Sequence, residues 1–313
     1  MEDIKRIAEK TKKTLQGAGA QKAQFTVTEK EKHEFNVDGG EFSLFRTLFD
    51  RSLSITAYKD NKKGSAFINQ FDDSSINSAV MDCIKSAESG IPDEAYDIAP
   101  RQEAETFRDG AYEPDMDLFF QRTRELMKDI TERHPKIIME QMIVSHDKVH
   151  SVYQNTNGTE FESFTGAYSV SLMFSAHEGE TTTSFFGSGV YTDSLDRPFI
   201  ELGSLEKDLS DTEAQLTTIP MEGKFEGVIV LTPGSLGGFL GSAVSNFVSD
   251  GVILEKTSIW LDKLEKQVAD SRITISLCPG DSRIVCGEKY TYDGFRSQDY
   301  DLIKDGVLKS FML

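Results

Sequence analysis

The side chains best suited to chemistry in this sequence are its five histidines, and two of them are followed by glutamate. His33-Glu34 and His177-Glu178 begin like the H-E-x-x-H zinc motif, in which two imidazoles on one helix face bind the metal and the glutamate acts as general base. The positions that would complete the pairs hold Val37 and Thr181, and neither can do so. Both dipeptides also lie in strand-like sequence, so satisfied or partly exposed strand histidines are expected. His146 and His150 are four apart, but Ile143, Val144, Val149 and Val152 alternate in a way that predicts a hairpin around Asp147-Lys148, with both histidines at the surface.

Other reactive constellations are missing from the sequence. There is no G-x-S-x-G elbow, no G-x-x-x-x-G-K-[ST] loop and no G-x-G-x-x-G after a strand, so a triad hydrolase, an NTPase or a dinucleotide enzyme has no foothold. Gly234-Ser-Leu-Gly-Gly238 is glycine-rich but lacks the lysine of a phosphate loop. Cys83, Cys278 and Cys286 are too few and too irregularly spaced for a disulfide framework or a C-x-x-C site. Residue by residue, the sequence does not show an enzyme.

Composition narrows the classes further. A formal charge of -18, with Lys and Arg scattered among acids, disfavours direct contact with nucleic acid. No apolar run approaches the roughly 20 residues of a membrane span. The N-terminus, Met1-Glu-Asp-Ile-Lys-Arg6, opens directly into an amphipathic pattern without an apolar signal region, so the expected location is the cytoplasm.

The elements that must position these residues are legible as periodicities. Ile4, Ile7, Ala8, Thr11, Leu15 and Ala18 predict a helix over 2–18. Alternation from Ala23 to Asn69, with turn chemistry at Asp38-Gly-Gly40 and Asp60-Asn-Lys-Lys-Gly64, predicts an antiparallel meander. Asp72-Asp-Ser-Ser75 offers cap oxygens to a second helix carrying Ile76, Ala79, Val80, Cys83, Ile84 and Ala87. Residues 90–113, rich in acids and with two prolines, read as a solvated linker, and Pro114 opens a third helix through Ile130. Strands are expected from Ile137 to Val190, turning at Asn155-Thr-Asn-Gly158, because Asn-Gly suits the positive φ of a type I′ turn. A helix over Leu205–Leu216, a strand over Val228–Leu231, a loosely packed helix over Pro233–Ser249 and a strand over Ile273–Leu277 complete the reading.

Three segments, in order, resemble the TldD/PmbA peptidase family. They are Gly40-Glu41 with Lys63-Gly-Ser-Ala66 and the following helix; Tyr153-Gln-Asn-Thr-Asn-Gly-Thr-Glu160; and Ile259-Trp-Leu-Asp-Lys-Leu-Glu-Lys-Gln-Val268 with Asp301-Leu-Ile-Lys-Asp-Gly-Val-Leu-Lys-Ser-Phe311. The resemblance implies an α+β chain with an N-terminal helix-plus-meander domain (1–90), a linker (91–113), a middle α/β domain (114–220) and the start of a β-rich, barrel-like C-terminal domain (221–313). It also implies members that work in pairs to cleave or mature peptides. The catalytic branch carries H-E-x-x-x-H in a helix after the first strand of its last domain, and here the matching positions are Gly241, Ser242 and Asn246. Such residues make no zinc site, so no catalytic or metal residue and no cofactor are expected. This pattern resembles the PmbA branch. The expected partners are a TldD-like zinc peptidase subunit, a second copy of the chain, and peptide substrates. The alternatives are an autonomous peptidase with an unrecognised site or a DNA gyrase modulator. Because relatives continue past the signature that ends near Leu313, the last domain is expected to be incomplete.

Overall fold

The computed structural model describes residues 3–220, 223–224 and 226–312. Two compact units emerge: Met1–Thr218 with Val285–Arg296, and Ile219–Ile284 with Ser297–Leu313.

The first unit is built on one eight-stranded sheet of long strands: β1 (Lys22–Asp38), β2 (Glu41–Lys59), β3 (Lys62–Ile68), β4 (Glu105–Gly110), β5 (Ile137–Asn155), β6 (Glu160–Glu178), β7 (Thr181–Thr182) and β8 (Phe186–Thr192). The order is β3-β2-β1-β5-β6-β4, with β7 and β8 also on β6. Only β4 runs parallel to its neighbour. Two-residue turns set the register of the meander. Gly39 and Gly40 have φ of 57° and 83°, and Asp60 and Asn61 have 52° and 57°, so both loops hold the paired positive φ that a type I′ turn requires.

Four helices cover one face of this sheet: α1 (Ile4–Gly17), α2 (Asp73–Ser89), α3 (Met116–Arg133) and α4 (Leu205–Ala214). The Asp72 side chain accepts from the Ser74 and Ser75 backbone N–H groups, which starts α2. Ile4, Ile7 and Leu15 of α1 and Ile76, Val80 and Cys83 of α2 pack on Val27, Leu53, Ile55 and Val152. Phe119, Leu126 and Ile130 of α3, with Leu205 and Leu209 of α4, pack on Phe35, Val144, Val170 and Leu172. Each fully buried side chain of this kind contributes roughly 1.5–3 kcal/mol, so these two clusters fix the helices to the sheet.

On the opposite face, the segment Val285–Arg296 docks through Tyr290, whose ring lies 5.0 Å from Phe161 and 5.7 Å from Tyr153. The Tyr153 hydroxyl is 3.1 Å from both Gln24 Oε1 and the Asp293 carbonyl, and donates to one of them.

The second unit contains α5 (Pro233–Phe247), α6 (Asp250–Leu254) and a sheet of order β11-β10-β9, formed by β9 (Ile275–Leu277), β10 (Tyr300–Lys304) and β11 (Val307–Leu308). Its small core joins Val248, Leu302, Ile303 and Leu308, with Phe247 4.6 Å from Trp260. The two C-terminal signatures meet here. Val268 N–H donates to Gly306 O at 2.9 Å, Glu265 N–H to Leu308 O at 2.8 Å and Leu308 N–H to Lys266 O at 3.0 Å. Asp305 and Gly306, at φ 49° and 77°, make the turn that holds them together.

Three local expectations change. Asp147-Lys148 is no hairpin: β5 runs unbroken from Ile137 to Asn155, with Asp147 opposite Lys32 on one side and Ala167 on the other. Alternation looks the same in a hairpin and in one long strand, and no glycine or asparagine at that point supports a turn. Val228–Leu231 is not a strand, and Val228, Ile229 and Val230 are 90 %, 78 % and 84 % exposed. An apolar run becomes a strand only when a neighbour takes its hydrogen bonds, and none does so among the described residues. Within the stretch read as a solvated linker, Glu105–Gly110 forms β4.

Candidate functional site

The positions matched to the zinc motif lie on α5, all three exposed. Pro233 at the first helical position starts this helix, although Gly234, Gly237, Gly238 and Gly241 each weaken it. Ser242 Oγ donates to Gly238 O at 2.9 Å, and Asn246 Nδ2 donates to Ser242 O at 2.7 Å. The polar atoms at the site are thus directed at their own helix. These residues do not fit a zinc ion. Among the described residues no group of three or more His, Cys, Asp or Glu is arranged to hold a metal.

All five histidines belong to the first unit, and four take part in β5, β6 or β1. The register places His33 opposite His146, Glu31 opposite Lys148 and Glu29 opposite His150. Strand alternation therefore puts these six side chains on the helix-covered face, in the belt between the two apolar clusters. His33 is 2.9 Å from Glu31 and 3.0 Å from Thr47 Oγ1, using both ring nitrogens. Arg51 pairs with Glu29. Lys148 holds Glu113 at 2.7 Å and lies 4.6 Å from the Tyr112 ring. His150 meets Glu162 at 2.8 Å, stacks on Phe164 at 4.2 Å, and shares Glu162 with Lys5, 2.9 Å away. Burial opposes ionisation of Glu162, but the hydrogen bonds and charges of Lys5 and His150 prevail and hold its pKa below the ordinary value.

His146 is fully buried, which corrects the surface expectation: the Ala111–Glu113 crossing lies over it. Its Nε2 is 2.7 Å from Ala111 O, and a carbonyl only accepts, so Nε2 carries the proton. Nδ1 is buried without a hydrogen-bond partner among the described residues. Burial, assisted by His33, pushes the His146 pKa down against the Ala111 hydrogen bond. His177, at the end of β6, lies opposite Thr182, and its neighbour Glu178 pairs with Lys136. Glu34 is buried and held by Asn36, Lys32 and Arg46. The sequence patterns that suggested zinc ligands thus resolve into paired strand residues.

The belt's charged side chains are engaged with one another, and none of them is an activated nucleophile. Cys83 lies elsewhere, and burial pushes its pKa up to about 11, which keeps it a thiol. Sequence reasoning missed the belt because its members come from β1, β2, β5 and β6, and only the register brings them together.

Comparison with known proteins places the chain. Residues 25–90 match the model described as PmbA/TldA metallopeptidase domain 1, and residues 225–313 match the PmbA/TldA metallopeptidase C-terminal domain. The chain is similar to a metalloprotease PmbA homolog of Haemophilus influenzae, 24 % identical over 84 % of this chain and 59 % of that protein. It is also similar to metalloprotease PmbA of Escherichia coli O157:H7, 23 % identical over 91 % of this chain and 61 % of that one. The chain therefore spans about six-tenths of the length of these relatives. Its fold matches TldE from Thermococcus kodakarensis, with a TM-score of 0.76 and 14 % identity over 98 % of this chain and 69 % of that one. It matches as well a Bacteroides thetaiotaomicron protein solved as a candidate modulator of DNA gyrase, with a TM-score of 0.79 and 18 % identity over 99 % of this chain and 72 % of that one. With both terminal family domains recognised and the α+β fold shared, the chain belongs to the TldD/PmbA family.

Proposed function

We propose that this chain is a zinc-less, PmbA-like subunit that works with a TldD-like zinc peptidase in peptide proteolysis or maturation in the cytoplasm. The observation that carries this reading is α5, where Gly241, Ser242 and Asn246 occupy the motif positions and the two polar side chains bond to their own helix. Peptide hydrolysis at neutral pH needs a strong nucleophile, and zinc provides one by lowering the pKa of bound water to about 7. Glycine, serine and asparagine cannot assemble that group. The role left to this chain is to complete the complex and hold peptide.

No helix among the described residues is long and apolar enough to cross a membrane. A direct role on DNA is disfavoured by the charge of -18. The test is peptide cleavage followed by mass spectrometry, for the chain alone, a TldD-like partner alone, and the mixture. The chain alone should be inert, and the mixture should cleave in a chelator-sensitive way. Chelator-resistant cleavage by the isolated chain would favour an autonomous peptidase instead.

A further inference from the structure

We infer that the cavity between the end of α3, β1 and β5 binds a small, uncharged, largely apolar molecule with one hydrogen-bond donor, such as an indole or a phenol, and that His134 Nε2 is the acceptor. The inference does not rest on the zinc-less reading.

The walls of the cavity follow from the sequence. Met127, Ile130 and His134 recur at helical spacing along α3 and its cap. Pro135 disfavours helical backbone in the residue before it, so α3 stops at Arg133 and His134 caps it with φ of -128°. Val37, Met139 and Met142 line the sheet side. Met139 lies opposite Phe174 and Met142 opposite Leu172, because the β5–β6 register shifts between Met139 and Gln141. Two methionines three apart in the chain thereby share the helix-covered face. The cavity has a volume of about 300 Å³. An apolar cavity of roughly 150 Å³ takes up benzene, so this one has room for a two-ring molecule.

Its polar groups select the ligand. No Lys, Arg, Asp or Glu lines the cavity, so a charged ligand would lose its water without gaining an ion pair. The two polar side chains in the lining are Thr131 and His134. Thr131 Oγ1 donates to Met127 O at 3.0 Å. His134 is 4 % exposed, and its Nδ1 lies 3.2 Å from Glu213 Oε2 on α4. A carboxylate only accepts, so Nδ1 carries the proton and the neutral ring presents Nε2 as an acceptor. Nε2 is buried with no hydrogen-bond partner among the described residues. An unpaired buried acceptor is costly, and a ligand that donates to it removes that cost. Unbranched thioethers repack readily, which lets Met127, Met139 and Met142 close around a flat ring and bring its donor to Nε2.

Indole and benzofuran are the test probes, in mildly alkaline buffer. They share a shape, but indole has an N–H donor where benzofuran has an oxygen. In titrations followed by methionine-methyl and imidazole-nitrogen NMR, indole should shift the signals of Met127, Met139, Met142 and His134 Nε2, and should bind at least about fivefold more tightly than benzofuran. Glu213→Gln supplies a second readout. The Lys136 N–H donates to Glu213 Oε1 at 3.1 Å, and in the variant it would hold the amide oxygen and turn the amide N–H toward Nδ1. His134 would then carry its proton on Nε2, and the preference should reverse toward benzofuran. The comparison of the two probes on the wild-type chain stands even where Glu213→Gln loosens α4. Equal affinity for both probes, no response at the three methionines, or a preference that stays with indole once the nitrogen signals show the proton on Nε2 would overturn the inference.

Discussion

His150 and Lys5 grip the same carboxylate: Glu162 lies 2.8 Å from the His150 imidazole and 2.9 Å from the Lys5 ammonium. Lys5 stands in the first turn of α1 and His150 on β5, so Glu162 on β6 ties a helix terminus to two strands of the sheet. Glu162→Gln should lower stability by about 1–2 kcal/mol near neutral pH, as expected when a half-buried, charge-assisted contact is lost. Because the folded pKa lies below the ordinary 4.5, the contribution is present above 4.5 and lost as pH falls through the folded value. Urea melts of both proteins should therefore differ near neutrality and converge in acid below about 4.5.

His146 predicts a separate acid effect at higher pH. Its folded pKa lies below the ordinary 6.5, so the unfolded chain takes up the proton first and stability falls as pH drops from 6.5 toward the folded value. His146→Gln removes the titration and keeps a side-chain donor for the Ala111 carbonyl. The wild-type melting temperature should decline in this window and the variant's should stay level. Parallel declines would show that His146 does not carry the effect.

Two glycines should respond with opposite sign. Gly294 has φ of 84°, and a Cβ there would lie 2.0 Å from the Tyr153 hydroxyl, so Gly294→Ala should destabilise the first unit by more than about 2 kcal/mol. Gly241 is inside α5 with nothing within 4 Å of an added Cβ. Gly241→Ala should therefore stabilise its helix by about 0.5–1 kcal/mol. Equilibrium denaturation of both variants checks the pair.

These contrasts show which parts of the structure are local. The faces of α1, α2 and α3 were legible because Ile4 with Ile7, Ile76 with Val80, and Leu126 with Ile130 repeat at helical spacing on a single buried side. The β1–β2 turn was legible because Gly39 and Gly40 supply the φ the loop needs. Non-local pairing was not. Asp147-Lys148 looked like a break because nothing in its neighbourhood reveals that β1 and β6 flank it on both sides. His146 looked exposed because the residues that bury it arrive from the β4–α3 connection. The docking of Tyr290 against Tyr153 and Phe161 was also hidden, for its partners are more than a hundred residues away. At α5 the residue types were readable from the sequence, whereas the capture of Ser242 and Asn246 by helix carbonyls emerged only with the side-chain geometry.

Zinc binding tests the central claim most directly. The chain, expressed with zinc in the medium, stripped of loosely held metal by gel filtration and submitted to elemental analysis, should carry no stoichiometric zinc, because Gly241, Ser242 and Asn246 offer no ligand set. Near-equimolar zinc that survives gel filtration, is lost with chelator and supports peptide cleavage by the chain alone would contradict the account.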